Sequence, residues 1–430
     1  MDLSSWSGIV AHPTIVWSPG NRHELDAVKT SWAGLGSVGV VHGGGRSYSD
    51  VALPAEGSAV LKTSDMRHVI SFDRRLGIVE VEAGVTLSSI QRLALPEGWG
   101  LSVMPGTSWA TVGGALANDV HGKNHSSAGA FSRSVLSARL YRADQGIINL
   151  DRSNAELWAA TVGGLGATGL IVSAKLQLAR WASSVIELDQ IRFVGVPEFL
   201  KASASEHEYV VGWIDTFASP VRGVVFLGSV CADEERPAVG ARVFSMGLPR
   251  VKVINSMVSR AFNAAYWAAH HNATGLKSGW ESFFCPLDKI KAWNRLYGPK
   301  GFSQFQCVIP TSMAVDAYEA IFAECRRARQ GSFLSVIKKF GDRPSEGYLS
   351  FARPGVTFAM DFPNQDGTQS LLARLSSIAL EAGGALYPAK MSIKSMDDFA
   401  RSFPMWSSWR AQWDDAGVFA GSAWIARLGL

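Results

Sequence analysis

The chain is poor in charge, poor in cysteine, and lacks the endings that usually accompany a glycine-rich loop. Charged residues make up 18% and apolar residues 47% of its 430 positions. That balance excludes a disordered chain and describes a globular protein with a large core, about two or three domains at ~150 residues each. A net charge of +4 is far from the basic footprint of a nucleic-acid binder, so no nucleic-acid partner is expected. The four cysteines, Cys231, Cys285, Cys307 and Cys325, form no CxxC pair and no metal-ligand rhythm. They read as reduced core residues of a cytoplasmic protein rather than a disulfide framework, and no metal site is expected. The N-terminus has no basic segment leading into an apolar one, so no signal peptide is expected. Two long uncharged windows, 98–118 and 157–174, are broken by glycines, the first also by Pro105. A spanning helix would need ~20 continuous apolar residues.

What is present is an alternation of β-rich runs and turns. VGVVHGGG, GIVEVEAG, GLSVMPGT and TGLIVSAKLQLAR read as strands, with helices between them at NRHELDAVKTSWAGLG and TLSSIQRLALPEG. The second helix opens on Thr86, a capping residue. The pattern predicts an α+β protein built around sheets. Past Arg180 the chain becomes less glycine-dense and richer in aromatics. Strands are expected at Val185–Phe193, VVGWIDTF, GVVFLGSV, FSQFQCVIP and GVTFAMDFP, and helices at MAVDAYEAIFAECRRARQ and TQSLLARLSSIALEAGG. The closing DDFARSFPMWSSWRAQWDDAGVF reads as a Trp-rich helical stretch.

One acid is missing where it would be noticed. Residues 236–280 hold Arg236, Arg242, Arg250, Lys252, Arg260 and Lys277 but no Asp or Glu. Val258, Phe262 and Ala265 fall on one helical face, which predicts a short basic amphipathic helix. It reads either as a core-packing helix or as a mobile lid that touches anionic lipid.

The loop VVHGGGRSYSDVALP, from Val40 to Pro54, poses the main question. A P-loop would end in GK[ST], and here Arg46-Ser47-Tyr48 stands instead. A dinucleotide-binding turn would place a third glycine at the start of a helix, and position 48 is tyrosine. Glycines still let backbone N–H groups approach a phosphate closely, so a pyrophosphate nest and a plain tight turn both remain open. MPGTSWATVGGALANDVHGKNHSSAG, Met104 to Gly129, adds two glycine clusters with Asn118, Asp119, His121, Lys123, Asn124 and His125. His121 and His125 have the spacing of helical metal ligands, but Gly122 adjoins them and no HExxH frame is present. These groups fit a buried heteroaromatic ring with its pyrophosphate better. TVGGLGATGLIV, Thr161 to Val172, offers a third close backbone approach.

HGGGRSYSD, PGTSWATVGGALANDVHGKN and TVGGLGATGLI together resemble the flavin-binding domain of the vanillyl-alcohol-oxidase superfamily. Within it the sequence resembles the decaprenylphosphoryl-β-D-ribose 2′-oxidase family. FFCPLDKIKAWNRLYGPKGFSQFQCVIPT, FLSVIKKFG, FAMDFP, ALYPAK and VFAGSAWIARLGL carry the resemblance nearly end to end and in order. The resemblance implies a two-domain flavoprotein with a discontinuous FAD domain and an inserted antiparallel-sheet substrate domain. Its parts fall at 1–184, 185–384 and 385–430.

FAD is then the implied cofactor, with its pyrophosphate over Gly43, Gly44, Gly45, Arg46 and Ser47. Further contacts carried over by motif are Tyr48, Gly106, Thr111, Gly113, Gly114, Asn118, Asp119, His121, Ile171 and Tyr387. Superfamily members that tether FAD use a histidine where this chain has Arg46, so a non-covalent cofactor is expected. Lys390 matches the family's essential lysine near the isoalloxazine, as base or as stabiliser of a developing alkoxide. Gln304, Gln306 and Lys338 match residues lining the sugar-phosphate site, and Tyr48 would close one side of it. Gln304, His121, Thr357 and Ala359 are the substrate contacts that the resemblance implies. Alternation alone puts Gln304 and Gln306 on one strand face.

The sequence departs from the family at two places in this pocket. Ala359 stands where the family carries a cysteine attacked by covalent nitroaromatic inhibitors, and Thr357 where it carries an asparagine. The implied activity is oxidation of the 2-hydroxyl of a polyprenylphosphoryl-β-D-ribose, half of an epimerisation finished by an NAD(P)H-dependent short-chain reductase. Two other readings stay open. One is an FAD oxidoreductase of a soluble sugar, alditol, lactone or nucleoside; the other is a non-catalytic flavin-binding scaffold. Location is expected to be cytoplasmic, with peripheral membrane contact through 236–280.

Overall fold

Three larger sheets organise the chain. The computed structural model describes residues 3–13, 15–21, 24, 39–142, 145–232, 251–413 and 422–428. The first sheet is parallel, with β3 (Ala59–Lys62) between β1 (Ile15–Trp17) and β2 (Gly39–His42). β2 runs straight into the glycine loop. The second sheet is antiparallel, built from β4 (Val69–Asp73), β5 (Ile78–Glu82), β6 (Val135–Arg142), β7 (Gly146–Leu150) and β8 (Leu170–Gln177). Its strand order is β7-β6-β8-β5-β4. Helices α1 (Leu87–Ala94) and α2 (Val112–Ala117) share a core with this sheet. Thr86 caps α1 as expected, its side chain accepting from the Ser89 amide.

The third sheet has eight antiparallel strands: β9 (Val185–Val194), β10 (Tyr209–Asp215), β11 (Arg222–Val230), β12 (Ala273–Gly279), β13 (Phe302–Ile309), β14 (Ser335–Phe340), β15 (Gly355–Pro363) and β16 (Ala385–Leu386). They run in the order β12-β9-β11-β10-β14-β15-β13-β16. Period-two alternation divides this sheet chemically. Phe305, Cys307, Ile337, Phe358 and Met360 face a core shared with helices 195–203, 314–327 and 368–381. Gln304, Gln306, Val336, Lys338, Thr357 and Ala359 point the other way, into a cavity.

Three sequence expectations differ from the structure. Of GLSVMPGT only Gly100 is strand, as the end of Trp99–Gly100; Pro105 has no N–H to donate to a ladder and the residues from Met104 onward line the cavity. The Trp-rich stretch forms two helices, Met396–Ser402 and Trp406–Trp413. They part before Pro404, which disfavours helical backbone at Phe403. The basic window forms helix α3 (Ser256–Ala269), but it is not a core helix. Its only buried residues are Ser259 and Asn263, while Met257, Val258 and Phe262 are exposed. Most of NRHELDAVKTSWAGLG, and residues 236–250, lie outside the described residues.

Candidate active site

A cavity of about 900 Å³ runs between the glycine loop and the inner face of the eight-stranded sheet. That lies at the upper end of small-molecule sites, ~300–1,000 Å³. One wall is backbone: Gly43, Gly44, Gly45, Arg46, Ser47 and Tyr48 after β2, then Gly106, and Thr111, Gly113, Gly114 and Asn118 around α2. Ile171 and Tyr387 line it as well. The opposite wall is the side-chain row on β13, β14 and β15, with Lys390 and His121 completing it.

Register explains that row. Gln306 faces Ala359, Gln304 faces Asp361, Val336 faces Ala359 and Lys338 faces Thr357. Residues directly opposite in antiparallel strands share a sheet face. The segment after β16 is zipped onto β13 by Tyr387 N→Gln306 O at 3.1 Å and Met391 N→Gln304 O at 3.0 Å. Lys390 therefore arrives beside Gln304, with Nζ 3.6 Å from the centroid of the Tyr48 ring.

His121 sits at the centre of a polar chain. Its Nδ1 is 3.0 Å from Lys338 Nζ and its Nε2 3.2 Å from Gln306 Nε2, and Gln306 donates to Thr357 Oγ1 at 3.3 Å. Thr357 in turn donates to the Cys307 carbonyl. Burial, with Lys338 nearby, holds the imidazole well below its ordinary pKa, so it is neutral. Burial also brings Lys338 down to about 7, with the like charges of Lys123 and Lys390 contributing. Lys123, whose Nζ donates to the Phe283 carbonyl, falls to about 8 by burial. Lys390 is lowered by burial, opposed by Asp361.

Asp119 stands apart from the other predicted site residues, because its side chain does not line the cavity. Its buried carboxylate accepts from Ser132 N at 3.0 Å and Ser350 Oγ at 2.6 Å, which ties down the wall behind α2. Sequence reasoning also passed over Asp288 and Asp361. Asp288 lines the cavity and accepts from Thr107 Oγ1 and from the Ser108 amide and hydroxyl. The signal for both was their position inside quoted motifs, PLDK and MDFP.

The backbone wall fits a large anionic heteroaromatic ligand on its own terms. A Cβ on Gly43 would lie 2.7 Å from Thr111 Oγ1, and one on Gly44 2.9 Å from the Trp109 carbonyl, so both positions must stay bare. Arg46 Nε, Thr111 Oγ1 and Asn118 Oδ1 are buried on this wall without a protein partner. Buried polar atoms are almost always paired, so three together mark a ligand contact.

Comparisons with known proteins agree. Residues 13–151 match the family model described as FAD binding domain. A decaprenylphosphoryl-beta-D-ribose oxidase of Mycolicibacterium smegmatis is 30% identical over 441 residues, spanning 97% of this chain and 95% of that one. The chain belongs to the decaprenylphosphoryl-β-D-ribose oxidase family. Its cofactor is FAD, and it is an FAD-dependent oxidoreductase, which removes the scaffold reading. An uncharacterized Streptomyces coelicolor protein is 27% identical over 371 residues, 80% of this chain and all of that one. Mouse L-gulonolactone oxidase is 31% identical over 140 residues, 32% of this chain and 31% of the enzyme. Among the described residues no helix is long and apolar enough to cross a membrane.

Proposed function

We propose that this family member oxidises the 2-hydroxyl of a polyprenylphosphoryl-β-D-ribose to the 2-keto sugar, half of an epimerisation completed by an NAD(P)H-dependent short-chain reductase. The observation that carries the reading is the meeting of Lys390, Gln304, Gln306 and Lys338 on one cavity face opposite the glycine wall. Residues 1–184 and 385–430 hold the cofactor, and 185–384 the substrate. FAD, held along the glycine wall by Arg46, Thr111 and Asn118, would supply the hydride acceptor for the carbinol carbon. The chain supplies the rest. Gln304 and Gln306 orient the sugar by hydrogen bonds. Lys338 meets the phosphate, and Lys390 meets the hydroxyl, as a cation that stabilises the alkoxide or as an amine that takes its proton.

One feature favours a second reading, a soluble sugar or lactone substrate. Thr357 is occupied by Gln306 and the Cys307 carbonyl, and Ala359 offers the pocket no polar atom, so a smaller or less polar ring fits as well. Anaerobic bleaching of the flavin across lipid-linked and soluble sugars separates the two. Reduction by polyprenylphosphoryl-ribose and not by free sugars or lactones is expected. Bleaching by soluble substrates alone would overturn the first reading. Lys390→Ala should slow bleaching by ~10²–10³-fold, the usual cost of losing a preorganised charged donor, in protein checked to retain its flavin.

A further inference from the structure

Asp361 is a fully buried carboxylate on the cavity side of the central sheet, opposite Gln304 in the β13–β15 register. Gln304 Nε2 donates to its Oδ1. Its Oδ2 has no hydrogen-bond partner. A buried carboxylate with one bare oxygen is costly unless a charge stands near it, and the groups around it are few. The Tyr297 hydroxyl lies beside it, itself buried without a well-formed hydrogen bond. Tyr48 comes from the glycine loop, its phenol held neutral chiefly by burial. Lys390 is pinned close by through the backbone bonds that hold 387–391 on β13. Lys338, a like charge, and the neutral His121 also act on the lysine. Among the described residues, Asp361 is the one carboxylate whose charge opposes the desolvation of Lys390.

We propose that Asp361 is the positioning residue for Lys390: it holds the ε-amino group over the Tyr48 ring and decides whether that group meets the substrate as a cation or as an amine. Gln304 serves the pair by occupying Oδ1, leaving Oδ2 open to the Tyr297 hydroxyl and to the charge of the lysine. The division of labour follows from the strand register, since Gln304 is at once the cross-strand partner of Asp361 and the backbone anchor of Met391. The proposal rests on Lys390 being the reacting lysine only for its meaning in the reaction. The charge relation itself is a property of the folded chain.

The test reads the lysine directly. In flavin-loaded and flavin-free protein, the pH dependence of Lys390 acetylation by acetic anhydride is followed by peptide mass spectrometry, with exposed Lys339 as internal reference. An opposite charge within ~4–6 Å moves a pKa by ~1–3 units. Asp361→Asn, which keeps the shape, should lower the Lys390 midpoint by at least ~1 unit, and Asp361→Glu should restore most of the shift. An unmoved midpoint in folded Asp361→Asn overturns the proposal. Should Asp361→Asn not fold, reciprocity supplies the second arm. In Lys390→Met the Asp361 carboxyl, followed by 13C NMR, must titrate at higher pH than in the wild type, and an unchanged midpoint is equally fatal. The limb of the flavin-reduction pH profile that moves down with the labelling midpoint names the reacting form of the lysine. A labelling shift together with undiminished bleaching in Lys390→Ala would keep this relation and overturn the role given to Lys390 above.

Discussion

Lys338 shows how one buried cation gives the site a pH dependence. Its pKa of about 7 comes first from burial, then from Lys123 and Lys390. Below that pH it is an ammonium; above it, an amine. A phosphate ligand favours the cation, so affinity for a phosphodiester analogue of the substrate should fall as pH rises through about 7. The loss should be ~10–100-fold, the ~1.5–3 kcal/mol of a charge-assisted hydrogen bond. Lys338→Met should be weak and flat over the same range. Perturbation of flavin absorbance on titration between about pH 6 and 9 reads both, and a wild-type affinity that rises with pH would remove Lys338 from the phosphate. Ala359 gives a second residue-scale prediction. All four cysteines are buried and none lines the cavity, so turnover with a cysteine-directed nitroaromatic should leave the intact mass unchanged. A stoichiometric adduct would reveal another nucleophile. The lysines were singled out because the resemblance attaches a role to each. Asp288 and Asp361 lie inside quoted motifs too, but a carboxylate there does not announce partners far along the chain. Asp288 accepts from Thr107, which is 181 residues away.

The elements that matter most are a strand, a loop and a short helix. β2 delivers the glycine loop against Thr111 at the N-terminal end of α2, an approach that the bare Gly43 and Gly44 permit. Gly44→Ala would drive a methyl to 2.9 Å from the Trp109 carbonyl, which as backbone cannot swing away. FAD affinity should drop at least ~10-fold, ~1.4 kcal/mol, with the fold intact. The flavin-to-protein absorbance ratio after dialysis measures it, and full retention would show that the cofactor does not use this loop. Because Arg46 replaces the tethering histidine, acid precipitation should release all yellow colour; colour left in the pellet would mean a covalent bond. Sequence periodicity placed these elements well where burial is regular. β13 and β15 fall on FSQFQCVIP and GVTFAMDFP almost to the residue. It failed at GLSVMPGT, where Leu101 and Val103 enter the core of the second sheet and the residues from Met104 onward line a ligand cavity, without pairing in a sheet. Apolar runs record burial, not what buries them.

At the scale of the whole molecule, α3 leaves apolar side chains on the surface. Asn263 is its inner anchor, donating to Asp215 Oδ1 at 3.2 Å and Ser332 O at 3.0 Å. Met257, 76% exposed, and Phe262, 42% exposed, are left on the surface with Val251 and Val253. The segment leading in is bound to residues 290–297 through Val253 N→Leu296 O at 2.9 Å, and Trp293 and Ile290 of that stretch line the cavity. Lys252 and Arg260 flank the patch, both exposed, with no acid between residues 251 and 280. An exposed apolar patch rimmed by cations suits an anionic lipid surface, which is where a polyprenyl tail would reside. At ~1 kcal/mol per basic residue near such a surface, the double variant Lys252→Gln, Arg260→Gln should lose ~30-fold in binding to phosphatidylserine-containing vesicles at low salt. The difference should shrink as salt is raised, because the attraction is screened. Met257→Asp with Phe262→Asp should abolish binding at any salt. Flavin reduction by a short-chain soluble analogue should survive both changes, since none of the four side chains lines the cavity. Wild-type protein that ignores anionic vesicles, or a double variant that binds them equally well, would leave the outward face of α3 without this role.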